Sequence, residues 1–417
     1  RMRILIVSNG FAEDLVGAGL ARRLQGQRQD GDLRLQVMAL PLLGMGESYR
    51  AQGIDLPLGA GLRLPSAGFG RLSLPALWRD LRAGLWSETR RWVGRLAAAL
   101  ATAAGAPANA GAGPAALVCV GDTYLLFLAW WAWRRAGPVG RSVPVYFLPT
   151  AKSEWLRGHA RTEYWLMRTF ARQVFPRDRV TEAAFRRRGV RATYLGNPLL
   201  DVGGAAEGWR RRQERPPSDL VTEEGFTVGL LPGSRQDSRE NLEKLLAVAR
   251  AIMSLRPDGG WRFTVAAAPG RAGRIAVQTP NRDTAGTHAG AAADDVDDGP
   301  PIEIVDFPEL LGRAEMVIGL AGTAHEQAVA LGIPVIAFPG GRLQYTDRFA
   351  RAQQRLLGAA LELCPDFPEA VARAAIALRD DPDRRARMGA AGRERMGDPG
   401  ARALDAIARA IADDLAR

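Results

Sequence analysis

Residues 316–355 read MVIGLAGTAHEQAVALGIPVIAFPGGRLQYTDRFARAQQR, and their pattern decides the fold. A short apolar strand breaks at the glycine-bearing turn 319–322, and a helix follows directly. A second apolar run, 333–338, predicts the next strand, after which a Pro-Gly-Gly loop leads into another helix. Short apolar runs separated by helices are typical of a parallel sheet in an α/β domain.

The start of the helix after this turn has the features of an anion-binding site. Its first backbone N–H groups have no partner within the helix, and the helix dipole adds partial positive charge there. Phosphate groups bind at such helix starts. Thr323 and Glu326 lie in the first turns, and the Glu326 carboxylate can accept hydrogen bonds from a ribose diol. The pattern fits a nucleotide-sugar site, and an ordinary strand-to-helix turn also explains it.

The same alternation extends through the rest of the chain. Further strands are predicted at residues 3–8, 33–40, 116–120, 143–148, 191–195, 226–231, 261–267 and 302–305. A helical pattern or a turn follows each of them. We therefore predict an α/β protein with two doubly wound, Rossmann-like parallel sheets that face a cleft at their carboxyl strand ends.

Changes in composition divide the chain into domains. We expect an N-terminal domain over 1–202, a polar, proline-bearing linker over 203–225 and a C-terminal domain over 226–400. Residues 270–300 contain few large apolar side chains, so we expect an exposed, disordered insertion there. The last segment, 401–417, is predicted as a helix that packs back on the N-terminal domain.

The composition is that of a globular protein that does not span a membrane. Apolar residues make up 47% and charged residues 24% of the chain, and no apolar run approaches the ~20 residues that a membrane-spanning helix needs. The first residues lack the pattern of a signal peptide, so we expect a cytoplasmic protein. The two cysteines, Cys119 and Cys364, form no metal or redox motif, which agrees with a reducing compartment.

The positive charge is concentrated in the first half. Residues 1–210 hold 29 Lys and Arg against 15 Asp and Glu, a balance of +14, whereas the remainder has a balance of −3. Within this half, residues 75–100 form an amphipathic helical pattern in which tryptophans alternate with arginines. Such a helix either lies on an anionic membrane surface or packs as an ordinary surface helix. No stacked-aromatic or zinc-finger pattern indicates nucleic-acid binding.

In the second half, two loops converge on one predicted ligand. Gly233, Ser234 and Arg235 follow a strand, where backbone amides, a hydroxyl and a guanidinium suit a diphosphate. The other loop carries Gly322 and Thr323. A plain turn with a surface arginine is the competing explanation for the first loop. Further along the chain, Gln344 and Asp347 are candidates for sugar contacts, and Asp347 also fits a helix-start acid.

In the first half, candidate catalytic carboxylates follow the predicted strands. Asp122 ends an apolar strand, where a general base is required for a glycosyl transfer that inverts the sugar carbon; it also fits a helix N-cap. Asp14 lies in the first turn of a predicted helix, so it too is either a catalytic carboxylate or an acid that stabilises the helix start. His159 and His325 lie too far from carboxylates in the sequence to indicate a metal site. The chain has no nucleophile elbow, Walker-type P-loop or complete dinucleotide fingerprint.

The ordered set of motifs resembles lipid-A-disaccharide synthase and related proteins. The resemblance is carried by these motifs: Asp14-Leu-Val-Gly17, Val174-Phe-Pro176, Gly196-Asn-Pro-Leu-Leu-Asp201, Val228-Gly-Leu-Leu-Pro-Gly-Ser-Arg235, Ala321-Gly-Thr-Ala-His-Glu-Gln-Ala328 and Gly332-Ile-Pro334. It covers most of the chain outside 41–115 and 270–300. It implies a two-domain GT-B glycosyltransferase, peripheral to the inner membrane, that takes a UDP-sugar in its C-terminal domain. It also implies catalysis without a metal or other cofactor and the synthesis of a β-1,6-linked acylated glucosamine disaccharide.

The resemblance assigns a role to each matching residue. It places Ser234 and Arg235 at the diphosphate, Gly322 and Thr323 at the phosphate-side turn, and Glu326 at the ribose. Asp122 is the nearest candidate for the base, and Asp14 is the acid kept from a loop that otherwise differs.

The departures from the family lie in the first domain, where the acceptor would bind. Asn197 stands on the acceptor side, in place of the histidine of a Gly-His-Pro turn, and residues 149–153 replace an aromatic loop.

These patterns lead to one main hypothesis and two alternatives. The main hypothesis is a hexosyltransferase that moves a glucosamine-type sugar from a UDP-sugar to a lipid or other amphiphilic acceptor at the cytoplasmic membrane face. Its expected partners are the UDP-sugar, the acceptor and an anionic membrane surface, without nucleic acid. The alternatives are a UDP-sugar 2-epimerase and a non-catalytic GT-B module that binds a nucleotide.

Overall fold

The computed structural model describes residues 2–27, 35–59, 61, 85–102, 114–214, 225–233, 237–266, 273–275, 302–340 and 345–417. The chain forms two compact units. Unit 1 comprises Arg1–Gly203 and Ala401–Arg417, and unit 2 comprises Gly204–Gly400. Each unit is built on one sheet with helices on its faces, so the predicted pair of doubly wound α/β domains is confirmed.

The sheet of unit 1 has five parallel strands in the order β2-β1-β3-β4-β5. Their bounds are β1 Met2–Ser8, β2 Leu35–Pro41, β3 Ala116–Gly121, β4 Val145–Pro149 and β5 Gln173–Val174. Every residue of β3 and β4 is buried. Parallel strands covered on both faces need continuous apolar runs, which is why these segments were recognisable in the sequence.

Seven helices of unit 1 precede its last segment in the described part of the chain. They are α1 Phe11–Gly26, α2 Glu47–Ala51, α3 Leu85–Ala101, α4 Thr123–Arg135, α5 Gly137–Gly140, α6 Arg161–Phe170 and α7 Arg179–Arg187. Helices α3, α4 and α6 cover one face of the sheet and share a core with Trp92, Leu96 and Phe147. A short 3₁₀ helix, Pro198–Asp201, ends this part of the unit.

The sheet of unit 2 has seven strands in the order β12-β11-β10-β6-β7-β9-β8. Their bounds are β6 Phe226–Leu231, β7 Trp261–Ala266, β8 Gly273–Ile275, β9 Ile302–Val305, β10 Met316–Gly319, β11 Val335–Ala337 and β12 Leu361–Leu363. All neighbouring strands are parallel except β8, which pairs antiparallel with β9 at the edge. An antiparallel edge strand on a parallel sheet is common in doubly wound folds.

Seven α-helices of unit 2 are described. They are α8 Ala205–Glu214, α9 Ser238–Leu255, α10 Phe307–Arg313, α11 Thr323–Ala330, α12 Asp347–Leu357, α13 Pro368–Asp380 and α14 Pro382–Met396. The chain then returns to unit 1 as α15, Ala403–Leu415. Helix α15 packs beside α1 on the second face of the first sheet, where Leu404, Ile407 and Ile411 join its core.

The structure differs from the sequence-based predictions in three segments. Residues 191–195 were predicted as a strand but form only an isolated bridge, between Val174 and Ala192. The predicted linker 203–225 contains helix α8, which packs on α10. Within the predicted insertion 270–300, residues 273–275 form β8, and the rest lies outside the described residues.

Candidate functional site

In unit 2, the strand order reverses direction between β6 and β10, which lie side by side. Ligands of open α/β sheets bind at the carboxyl ends of the strands at such a switch point. The loops after these two strands are in contact: the Leu320 amide donates to the Leu231 carbonyl at 2.9 Å. A Cβ added at Gly233 would lie 3.3 Å from the Leu320 carbonyl oxygen. The structure therefore brings the two predicted donor loops together.

Helix α11 begins at this edge, immediately after Gly322. Thr323 is its first residue and is exposed, so the positive end of the helix dipole lies beside the two loops. Glu326 lies one turn further and is 7% exposed. Its side chain is thus buried rather than on an open surface, and its contact with a ribose stays a prediction.

The other predicted donor residues of unit 2 are only partly described. Ser234, Arg235 and Gln344 lie outside the described residues. Asp347 is exposed in the first turn of α12, and its carboxylate accepts a hydrogen bond from Arg351 at 2.8 Å. The structure gives Asp347 the helix-start position that the sequence allowed as an alternative to a sugar contact.

Two polar side chains that sequence reasoning did not assign contact residues that follow β11 and β12. His325 is fully buried, and burial lowers its pKa to about 3, so the ring is neutral. Its Nδ1 lies 3.4 Å from the Tyr345 hydroxyl. Lys244 donates to the Gly340 carbonyl at 2.8 Å and to Asp366 at 3.1 Å. The one available signal was that Lys244 is one of just two lysines among 56 basic residues.

In unit 1, the switch point lies between β1 and β3. Asn9 follows β1 and Asp122 follows β3, and the Asn9 amide donates to the Asp122 carboxylate at 2.7 Å. The same carboxylate oxygen accepts from the Leu125 amide at 3.0 Å, so Asp122 is the N-cap of α4. Gly121 has a φ of 151°, and any side chain there would overlap Asn9. Glycine is therefore required for this junction, while a catalytic role of Asp122 stays a prediction.

Asp14 is buried near the same edge, in the first turn of α1. The Ser8 hydroxyl donates to its carboxylate at 2.6 Å, and that hydroxyl also lies 2.7 Å from the Tyr49 hydroxyl. Burial raises the pKa of Asp14, and the negative charge of Glu13 raises it slightly further. The hydrogen bond from Ser8 lowers the pKa, but by less than burial raises it, so the pKa is about 7. A carboxyl with this pKa can take up or release a proton near neutral pH.

A second carboxylate cluster at this edge was missed by sequence reasoning. Glu163 accepts hydrogen bonds from the Thr123 hydroxyl at 2.5 Å, the Lys152 ammonium at 2.6 Å and the Ala160 amide at 2.6 Å. Burial raises the pKa of Glu163, but these hydrogen bonds outweigh burial and hold the pKa below its usual value. An ionised Glu163 thus fixes Lys152 beside the start of α4.

His159 has a carboxylate partner five residues away in the sequence, Glu154. His159 Nδ1 lies 2.6 Å from Glu154, which also accepts from the Tyr164 hydroxyl at 3.0 Å. Burial lowers the pKa of His159 more than Glu154 raises it, so the ring is neutral. The imidazole is fully buried and packs edge-on against Phe185 at 4.8 Å. It anchors the loop after β4 and is inaccessible to a substrate.

Asn197, predicted on the acceptor side, is buried in unit 1. Its side chain accepts from the Leu199 amide at 3.2 Å and begins the short 3₁₀ helix. This hydrogen bond gives Asn197 a structural role at the start of the helix, and its contact with an acceptor stays a prediction. Among the described residues, no group of three or more His, Cys, Asp or Glu side chains could hold a metal ion.

Comparisons with known proteins identify the fold. The chain matches no protein-family model and no curated protein sequence. It is similar to the crystal structure of UDP-GlcNAc 2-epimerase from Neisseria meningitidis bound to UDP-GlcNAc, with a TM-score of 0.55 and 13% identity over 99% of this chain and 100% of that one. The chain has the GT-B fold.

Other solved structures share this architecture. UDP-GlcNAc 2-epimerase from Methanocaldococcus jannaschii aligns with a TM-score of 0.52 and 12% identity over 99% of this chain and 100% of that one. A ugt transferase from Siraitia grosvenorii in complex with UDP aligns with a TM-score of 0.52 and 12% identity over the full length of both chains. At this identity the similarity concerns the GT-B fold alone. No helix in the described parts of the chain is long and apolar enough to cross a bilayer.

Proposed function

We propose that the protein is an enzyme that acts on a UDP-sugar and holds the uridine diphosphate in unit 2. The observation that carries the proposal is the junction of two glycine-bearing loops with the start of α11 at the β6/β10 switch point. Backbone amides and the helix dipole suit the diphosphate, and Glu326 suits the ribose diol. Ser234 and Arg235 complete the proposed phosphate contacts, and neither a metal nor an organic cofactor takes part.

A Glu326→Ala variant tests this assignment, because it removes the proposed ribose acceptor. We expect its affinity for UDP, measured by titration calorimetry, to fall about tenfold or more, which corresponds to ~1.4 kcal/mol. Glu369→Ala is the matched control, since Glu369 is an exposed first-turn acid of α13 in the same unit. Glu326→Gln keeps the shape of the side chain and separates loss of charge from loss of packing. Unchanged UDP affinity in both Glu326 variants would remove the residue from the site.

The first candidate reaction is transfer of a glucosamine-type hexosyl group to an amphiphilic acceptor. Asp122 or Asp14 takes the proton of an acceptor hydroxyl, the oxygen attacks the anomeric carbon, and UDP leaves with the bonding electrons. The ordered motifs that resemble lipid-A-disaccharide synthase support this reaction, as does the basic first half, which suits an acceptor at the cytoplasmic face of an anionic membrane.

The second candidate reaction is 2-epimerisation of the UDP-sugar. A base removes the proton at C2 as UDP leaves C1 with the bonding electrons, which gives a C1=C2 double bond. UDP then adds back to C1 while an acid returns a proton to the opposite face of C2, so the reaction needs acid and base groups but no acceptor. The similarity to two UDP-GlcNAc 2-epimerases supports it at least as well as it supports transfer. The raised pKa of Asp14, about 7, also suits a group that must both accept and donate a proton.

One experiment separates these reactions. A panel of UDP-sugars is incubated in D₂O with and without native membrane lipids, and the products are analysed by mass spectrometry. Deuterium entering the sugar without lipid indicates epimerisation, and a hexosyl mass added to a lipid with release of UDP indicates transfer. UDP binding without turnover of any donor indicates the non-catalytic module. Absence of UDP binding would refute the proposal itself.

A further inference from the structure

An exposed aromatic surface runs across three helices of unit 1. It consists of Trp86 on α3, Phe127, Trp130 and Trp131 on α4, and Trp165 on α6, and is called the aromatic face below. Trp86 is 60% exposed, Phe127 46% and Trp165 48%. Large apolar side chains that are exposed singly need no explanation, but a contiguous patch indicates a binding surface.

The rings of the aromatic face contact one another in two groups, which meet on helix α4. Trp86 stacks on Trp131 with ring centroids 6.1 Å apart. Phe127 lies 5.7 Å from Trp130, and Trp130 meets Trp165 edge-on at 6.1 Å. These contacts tie α3, α4 and α6 together at the surface, so the aromatic rings are held in fixed positions rather than scattered. A preorganised apolar surface loses little conformational entropy when it binds.

The helices of the aromatic face carry mostly positive charge, and the single acid of α6, Glu163, is paired with Lys152. Arg90 lies over the Trp86 ring at 5.8 Å and Arg134 over the Trp130 ring at 5.4 Å. Residues 123–153, which include α4, contain no Asp or Glu. The single acid of α3, Glu88, is paired with Arg91. Arginines interleaved with tryptophans suit a binding partner that has an apolar interior and an anionic surface.

We infer that the aromatic face binds an anionic lipid bilayer. Tryptophan rings prefer the boundary between hydrocarbon and headgroups, and arginines beside them can fork onto lipid phosphates. A second copy of the chain is a poorer occupant, because a two-fold contact would bring equivalent patches, and therefore like charges, against each other. The positive balance of the first half agrees with the same partner.

The helix that carries three of the five aromatic residues begins at the candidate site of unit 1. Helix α4 begins at Thr123, directly after Asp122, and Tyr124 in its first turn is 36% exposed. Phe127 lies on the same helix that Asp122 caps, and we extend the inference to an acceptor hydroxyl that a bilayer on this face presents to Asp122. This last step rests on the proposed transfer reaction, whereas bilayer binding does not.

Vesicle co-sedimentation of the full chain tests the inference. Vesicles of phosphatidylcholine alone are compared with vesicles that contain about 30% phosphatidylglycerol. We expect binding to the anionic vesicles, a fall of about tenfold or more in the partition coefficient for the triple variant Trp86→Ser/Phe127→Ser/Trp165→Ser, and a smaller fall for Arg90→Gln/Arg134→Gln. The double variant Phe367→Ser/Leu255→Ser is the control, because it removes equally exposed apolar side chains from unit 2.

A second measurement does not depend on the triple variant folding. Brominated phosphatidylcholine within the anionic vesicles should quench the tryptophan fluorescence of the unmodified chain, and Trp86→Phe/Trp165→Phe should bind while losing part of this quenching. Equal binding by the triple variant and the parent, or absence of quenching, would overturn the inference. A triple variant that loses self-association instead of vesicle binding would assign the face to a second copy. UDP affinity, measured without lipid, reports separately on the proposed function.

Discussion

The carboxyl group of Asp14 connects the site of unit 1 with the stability of that unit. Its pKa is about 7 in the folded chain because the group is buried, against 3.8 for an ordinary aspartate. At a pH between these two pKa values, the Asp14 carboxyl is protonated in the native state and ionised in the unfolded state. The contribution of Asp14 to stability is therefore fully present below about pH 4 and is lost as the pH rises to 7.

An Asp14→Asn variant should not show this loss. Relative to it, the unmodified chain is expected to lose on the order of 2–4 kcal/mol of unfolding free energy between pH 4 and pH 7.5. Urea unfolding at several pH values measures the difference. Glu47→Gln serves as the control, since Glu47 is an exposed first-turn acid in the same unit. Parallel pH profiles for the Asp14 variant and the parent would show that the carboxyl is ionised at neutral pH.

Gly121 offers a test of the junction that holds Asp122. A Cβ at this position would overlap the Asn9 amide, and the φ of 151° is unfavourable for any residue with a side chain. We expect Gly121→Ala to cost about 2–3 kcal/mol of unfolding free energy and to reduce turnover, because Asn9 must move away from Asp122. Gly94→Ala is the control: its Cβ would meet nothing within 4 Å, and alanine in helix α3 should be neutral or stabilising. A Gly121 variant as stable as the parent would contradict the close packing.

At the scale of elements, the sequence predicted most of the fold because buried parallel strands must be continuous apolar runs. The strand at 226–231 was predicted with the bounds that the structure has. The strand predicted at 191–195 fails because this segment lies at the sheet edge. There, Val174 exchanges backbone hydrogen bonds with Arg191 and Thr193, and the chain then turns at Gly196.

The supporting contacts of both sites could not be predicted in the same way. Glu163 meets Thr123 across 40 residues of sequence, and Lys244 meets Gly340 across 96. Local periodicity carries no information on such pairs, because they depend on how the loops after different strands come together. The sequence therefore indicated the edge of each sheet at which the candidate residues lie, but it gave no sign of the side chains that bond to the neighbouring loops.

Helix α15 depends on one polar cluster in addition to its apolar face. Asp414 accepts from Arg172 at 2.5 and 2.8 Å and from the Tyr146 hydroxyl at 2.6 Å. These partners, Arg172 first, hold the pKa of Asp414 below its usual value, so its contribution to stability is present above about pH 4 and lost as the pH falls.

Replacing Asp414 tests this cluster. We expect Asp414→Asn to cost about 0.5–1 kcal/mol at pH 7, since the pair is partly exposed, and less at pH 3. Asp413→Asn, which alters an exposed neighbour on the same helix, should cost less at both pH values. The free energies come from urea unfolding. A cost for Asp414→Asn that is the same at pH 7 and pH 3 would show that the ion pair does not contribute.

At the scale of the whole molecule, the same α/β architecture occurs twice with different surfaces. Unit 2 carries paired glycine-bearing loops at its switch point, while unit 1 carries the carboxylates Asp14 and Asp122 at its switch point and the aromatic face on its helices. This division suits an enzyme in which one unit holds the nucleotide and the other selects what happens to the sugar.

Hydrogen exchange with and without UDP tests this division in the intact chain. A ligand at 100 times its Kd stabilises its binding unit by about 2.7 kcal/mol, so amides that open only with that unit should exchange about a hundredfold more slowly. We expect this protection at the carboxyl ends of β6 and β10 and in the first turns of α11, with β3 and α15 unchanged. Protection confined to unit 1 would show that unit 1 binds the nucleotide and would contradict the proposed site in unit 2. If UDP protects unit 2 alone, whereas an intact UDP-sugar also protects the loop after β3, then unit 1 recognises the sugar. The residues that determine the product of the reaction would then lie in unit 1.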